Sequence, residues 1–113
     1  MEIIEYRTYR EEDILPLYAS VGWTAYTDAP DALRRGFEKP LLTLAAYEGK
    51  TLVGLARAVG DGETVVLVQD LLVFPQYQRL GVGTALLRAV MERFADVRQL
   101  QLVTDDTKKT LAF

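Results

Sequence analysis

The residues best placed to do chemistry sit in one short stretch, Gln78-Arg79-Leu80-Gly81-Val82-Gly83-Thr84. Its two glycines remove side chains from the path between a ligand and the backbone. An apolar, extended pattern precedes the stretch and a helical one follows, so the loop becomes the first turn of a helix. A helix start carries roughly half a positive charge on its unpaired N–H groups, which suits a phosphate or diphosphate, and Arg79 could add a full charge at the rim. A P-loop would need Lys and Ser/Thr after the second glycine of a longer spacing, and a dinucleotide fingerprint needs three glycines and a later acid. Neither is present. A second polar feature is the pair Gln69-Asp70 in the middle of an apolar strand, where a strict pleat would aim one of the two into each apolar layer.

Composition narrows what else could act. The chain has no cysteine and no histidine, which excludes disulfides, thiol nucleophiles, imidazole bases and the usual zinc sets; no metal is expected. Carboxylates, hydroxyls, amines and backbone groups remain. The net charge is -3, and no Lys/Arg cluster offers a phosphate-neutralising surface, so no nucleic-acid partner is expected. No apolar run approaches ~18 residues, and the N-terminus lacks the basic-then-apolar order of a signal peptide. The reading is a cytoplasmic protein that does not enter membranes. At 113 residues, one domain spanning 1–113 is expected.

The elements that must position the loop follow from periodicity. Glu2 to Arg7 reads as a first strand. Glu11-Glu12-Asp13 opens a helix with Ile14, Leu17, Tyr18 and Val21 at helical spacing, Pro16 being tolerable if it falls in the first turn, and Gly22 ends it. Asp28-Ala29-Pro30-Asp31 resembles an N-cap with an acid three residues on, starting a short helix to Phe37 that Pro40 stops. Between them Trp23 to Thr27 is aromatic and unpatterned. Leu41–Tyr47, Leu52–Val59 and Thr64–Phe74 then read as an antiparallel meander around turns at Glu48-Gly49-Lys50 and Gly60-Asp61-Gly62. The third of these, apolar on both faces, reads as a central strand covered on two sides. A helix from Val82 to about Phe94 and a strand from Arg98 to Val103 require a right-handed parallel crossover. A last helix begins near Asp105 or Asp106.

With the elements in place, the loop resembles the acyl-CoA pyrophosphate motif of the GNAT superfamily of N-acyltransferases, Gln/Arg-x-x-Gly-x-Gly/Ala, matched by Gln78, Gly81 and Gly83. The approach Leu71-Leu72-Val73-Phe74-Pro75-Gln76-Tyr77 and the run Leu102-Val103-Thr104-Asp105-Asp106 to Leu111-Ala112-Phe113 are similar to the same family's, so the likeness covers nearly the whole chain. A bare pair of glycines also fits a plain strand-to-helix turn; the surrounding order of elements favours the ligand. The resemblance implies a mixed α/β fold, a mostly antiparallel central sheet flanked by helices, in which the fourth and fifth strands splay at a bulge near Gln69 to Leu71.

The resemblance also implies a reaction: transfer of an acetyl group from acetyl-CoA, a cosubstrate, to a primary amine of a small molecule or peptide by direct attack in a ternary complex. The alternative is a non-catalytic acyl-CoA-binding or assembly module. Leu71, Leu72 and Val73 would pair with pantetheine, an amide on Leu72 or Val73 would polarise the thioester carbonyl, and Gln78, Arg79, Leu80, Gly81, Val82, Gly83 and Thr84 would hold the diphosphate. Relatives often carry a Glu just before an Asp on this strand. Here the pair is Gln69-Asp70, which leaves Asp70 as the candidate base, acting through water, or else as a polar residue that satisfies bulge amides. Arg57, on an otherwise apolar strand, would meet Asp70 or a substrate acid, or lie on an exposed face. Trp23 and Tyr26 are candidate acceptor-binding residues, with core or rim packing as the other account. Thr107 stands where relatives often carry an Asn that contacts pantetheine, and the family's usual acid, a Tyr, would follow Phe113. Relatives continue with the rest of that helix and two more strands. The resemblance therefore implies either a longer protein or a second copy of the chain, a homodimer, covering the bare sheet edge.

Overall fold

The computed structural model describes residues 1–102; the expected last helix, with Asp105, Asp106, Thr107 and the run to Phe113, lies outside the described residues. Five strands form one sheet in the order β1-β2-β3-β4-β5, comprising β1 (Glu2–Glu5), β2 (Leu42–Glu48), β3 (Thr51–Gly60), β4 (Val65–Val73) and β5 (Gln99–Leu102). The first four pair antiparallel in chain order; short glycine turns join β2 to β3 and β3 to β4, and the helical segment 11–36 joins β1 to β2. Gly49 and Gly62 take left-handed φ values of 60° and 75° that favour glycine. The β4–β5 pair is parallel, from Val65↔Gln99 to Val68↔Leu102, since the helix α4 (Val82–Arg93) carries the chain back between them. The expected mixed α/β architecture is therefore the observed one.

Each sheet face buries its own layer. On one side Val82, Leu86 and Val90 of α4 pack on Ala56, Ala58, Val66, Val68, Leu71 and Val73. On the other, Ile14, Leu17 and Tyr18 of α1 (Glu11–Ser20) and Leu33 of α3 (Pro30–Gly36) pack on Ala45, Leu55 and Leu72. β3, not β4, is the middle strand. Along β4 the residues alternate between buried and half-buried up to Gln69, and only Asp70 to Val73 is continuously buried.

Two local expectations need correcting. Pro16 is the sixth residue of α1, beyond the first turn. The missing N–H and the ring clash are offset by packing, since Ile14, Leu17 and Tyr18 are all fully buried. Ala29, without a side-chain cap, precedes α3; Asp28 instead closes a one-turn helix, α2 (Thr24–Thr27), in the segment that carries no sequence pattern. Pro30 at the first helical position pre-sets φ, so α3 starts without a capping oxygen.

Candidate functional site

The end of β4 leads through a short 3-10 turn, Pro75–Tyr77, into the loop at 78–81 and then α4. Two residues in this loop take left-handed backbone angles, Arg79 at φ 65° and Gly81 at φ 87°. The left-handed region costs a non-glycine residue about 1–2 kcal/mol, so Arg79 is held there by its surroundings. Gly81 is the residue preceding α4, and no side chain caps that helix start. The N–H groups of Val82, Gly83 and Thr84 therefore have no acceptor within the helix, and they carry its positive dipole end. Leu80 is 71% exposed, and a Cβ added at Gly81 would meet nothing within 4 Å. Backbone donors and the helix dipole thus meet at a turn whose residues Arg79, Leu80, Gly81 and Thr84 are exposed while Val82 and Gly83 are buried against the sheet, an arrangement that suits an anion such as a diphosphate.

The loop is tied to the strand before it by one of its own candidates. The Gln78 side-chain amide donates to the Val73 carbonyl at 3.0 Å. The Phe74 N–H donates to the Val53 carbonyl on β3 at 2.9 Å. With the two-residue period of a strand, Leu72 turns its peptide groups toward β3 as well, and Leu71 and Val73 turn theirs toward the β5 side. Leu71 to Val73 are buried, and the parallel ladder described with β5 ends at Val68, short of them. Close approach of α4 to the sheet depends on Gly54: a Cβ there would lie 3.1 Å from the Leu72 carbonyl oxygen and 3.1 Å from the Val82 side chain.

The second constellation lies on the opposite face, and a bulge creates it. Gly60 pairs with Val66 and Ala58 with Val68, but Arg57 pairs with Asp70, so Gln69 is an extra residue in β4. The inserted residue reverses the pleat. Val66 and Val68 face α4 before it, Leu71 and Val73 face α4 after it, and Asp70 is turned with Leu72 toward α1. Asp70 is 1% exposed. Its Oδ2 accepts from the Tyr18 hydroxyl at 2.7 Å and from Arg57 Nε at 2.7 Å, and its Oδ1 accepts from the Tyr26 hydroxyl at 3.1 Å. Arg57, 8% exposed, also donates from Nη1 to the Gly36 carbonyl at 3.1 Å and lies 5.4 Å from the centre of the Phe37 ring.

Burial and the Asp70 charge push both tyrosine hydroxyls above the ordinary tyrosine range, most strongly at Tyr18; both stay protonated and remain donors. Burial, the largest single influence, pulls the Arg57 guanidinium down, but the charge and hydrogen bond of Asp70 together with the neighbouring Tyr18 and Tyr26 hydroxyls make the net shift upward. Tyr18, Tyr26 and Arg57 thus each hold the proton that their hydrogen bond to Asp70 needs.

Trp23 and Tyr26 stand beside this cluster because α1 ends in a Schellman turn. The Gly22 N–H donates to the Ala19 carbonyl and the Trp23 N–H to the Tyr18 carbonyl, at 3.0 and 3.1 Å, with Gly22 left-handed at φ 78°. The centres of these two rings are 5.9 Å apart, and the Tyr18 ring packs tilted against that of Tyr26 with centres 5.1 Å apart. Both Trp23 and Tyr26 are half-buried. Tyr18 is the participant that sequence reasoning treated only as a core residue. A phenol on the apolar face of a helix needs a buried acceptor, and that was the available signal.

The sequence profile of the acetyltransferase (GNAT) family matches residues 6–113. Among solved structures the chain is similar to a GNAT family acetyltransferase from Streptococcus pneumoniae, at 38% identity and TM-score 0.81, over 96% of this chain and 78% of that one. An aminoglycoside 6′-N-acetyltransferase complexed with coenzyme A aligns at 22% identity and TM-score 0.78, over 96% of this chain and 64% of that one. A GNAT family acetyltransferase from Brucella melitensis in complex with acetyl-CoA aligns at 20% identity and TM-score 0.72, over 95% and 77%. These last two share the fold. No curated protein sequence gives a significant match.

Proposed function

The chain belongs to the acetyltransferase (GNAT) family, and we propose that it transfers an acetyl group from acetyl-CoA to a primary amine of a small molecule or peptide. The observation that carries this reading is the uncapped start of α4, preceded by left-handed Arg79 and Gly81. In it the amides of Gly81 to Thr84 and the Arg79 side chain hold the diphosphate. Gln78 serves from behind, by fixing the loop to the Val73 carbonyl.

From the diphosphate the pantetheine arm runs back along Leu71 to Val73, whose peptide groups at 71 and 73 face the β5 side. Of the two amides open from the sequence, Leu72 and Val73, the pleat favours Val73 N–H as the donor to the thioester carbonyl. One such donor contributes about 2.7–4 kcal/mol to an acyl transfer. The cosubstrate supplies an activated acyl group, and the protein supplies orientation, which replaces a bimolecular encounter by a local one. The attacking amine must be neutral, and a free alkyl amine titrates near ~10.4, so it gives up a proton before or during attack. Trp23 and Tyr26 form the aromatic wall on the acceptor side.

An acetyl-CoA titration followed by a thiol-release assay across a panel of amines tests this reading. Release that depends on the amine is the expected result. Saturable acetyl-CoA binding without release on any amine would favour a non-catalytic acyl-CoA-binding module.

A further inference from the structure

Asp70 is the carboxylate that the strand offers to the reaction, yet the fold spends it elsewhere. A base must come within hydrogen-bond reach of the proton it takes. Three donors occupy its two oxygens, from α1 (Tyr18), α2 (Tyr26) and β3 (Arg57), and the residue is 1% exposed. Through Arg57 the same carboxylate reaches the end of α3, at the Gly36 carbonyl and the Phe37 ring. One buried anion therefore joins β4 to every helical element between β1 and β2.

We propose that Asp70 is a positioning residue for the acceptor: through the Tyr26 hydroxyl and Arg57 it docks the segment from Trp23 to Phe37 against β4, and so sets the Trp23–Tyr26 wall at a fixed distance from the acyl-transfer strand. This inference rests on the acyl-transfer reading of β4. The bulge at Gln69 is what makes it possible. With regular pairing Arg57 would face Gln69, and Asp70 would point with Val66 and Val68 into the α4 layer, against the apolar side chains of Val82, Leu86 and Val90.

Two variants test the role. Tyr26→Phe keeps the ring and removes the bond to Oδ1; Asp70→Asn keeps the shape and removes the charge. Trp23 is the only tryptophan, so acrylamide quenching of its fluorescence reports docking of the wall without any turnover. Both variants are expected to raise quenching, and Tyr26→Phe to raise the acceptor KM about tenfold with kcat and acetyl-CoA affinity within about twofold, the size of one lost bond to a charged group. The pH profile of kcat/KM should keep its wild-type shape in Asp70→Asn. A kcat lowered by about 10²–10⁴ with the basic limb of that profile abolished would make Asp70 the general base and overturn the proposal; so would unchanged quenching in Tyr26→Phe, which decides the matter even if Asp70→Asn fails to fold. Absence of thiol release by the wild-type protein would instead defeat the underlying reading, before any variant is made.

Discussion

Replacing Gly81 separates charge from shape at the proposed diphosphate site. The residue sits at φ 87°, so any side chain brings backbone strain of about 1–2 kcal/mol, least for Asn and Asp, which tolerate this region. A Cβ there meets no neighbouring atom within 4 Å, so packing adds nothing to that cost. A carboxylate at a helix start gains about 0.3–1 kcal/mol from the dipole, which offsets part of it, and Gly81→Asp should fold. Its effect on the ligand is larger. A carboxylate about 5 Å from a phosphate charge, at an effective dielectric of about 20, is repelled by about 3 kcal/mol, on the order of a hundredfold in affinity. Gly81→Asn presents the same volume without the charge. Calorimetric titration with acetyl-CoA should therefore show a weakening of a hundredfold or more for Gly81→Asp, and only a several-fold one for Gly81→Asn. Equal losses in the two would reduce the site to a steric effect, and wild-type affinity in Gly81→Asp would refute the assignment of the loop.

Two further predictions concern the scaffold. Gly54→Ala would place a methyl 3.1 Å from the Leu72 carbonyl oxygen and 3.2 Å from Leu86; overpacking of this kind costs about 1–3 kcal/mol, to be seen as a lower urea midpoint with an unchanged slope, and an unchanged midpoint would mean that α4 can slide. Asp61 caps the β3–β4 turn: its Oδ1 accepts from the N–H groups of Glu63, Thr64 and Val65, and its Oδ2 from the Thr64 hydroxyl. These bonds hold its carboxyl well below the usual carboxylate range. A depressed folded value contributes stability above the unfolded pKa of about 3.9, lost as pH falls toward the folded value. Asp61→Asn should therefore flatten the loss of stability below about pH 4, measured by denaturant midpoints; parallel wild-type and variant curves would contradict this.

What the sequence makes legible is set by local physics. Glycine spacing, a two-residue strand period and a helical period place β3, β4, the loop and α4 to within a residue or two, because each signal is carried by neighbours in the chain. The fate of Asp70 is different. Whether it faces α1 or α4 turns on a single extra residue, Gln69, and that is a property of the β3–β4 register. Arg57 and Asp70 are the only charged residues in their two strands, and their opposite signs were the one clue that they meet. Likewise Pro16 inside α1 and the capless start of α3 depend on burial by the sheet, which no window of sequence reports.

The central claim is that coenzyme A lies with its diphosphate on the start of α4 and its pantetheine along β4. Amide chemical-shift mapping during titration with coenzyme A addresses it directly. The account predicts saturable shifts concentrated at Leu71, Val73 and Arg79 to Thr84; shifts centred on any other surface, or none at saturating ligand, would contradict it.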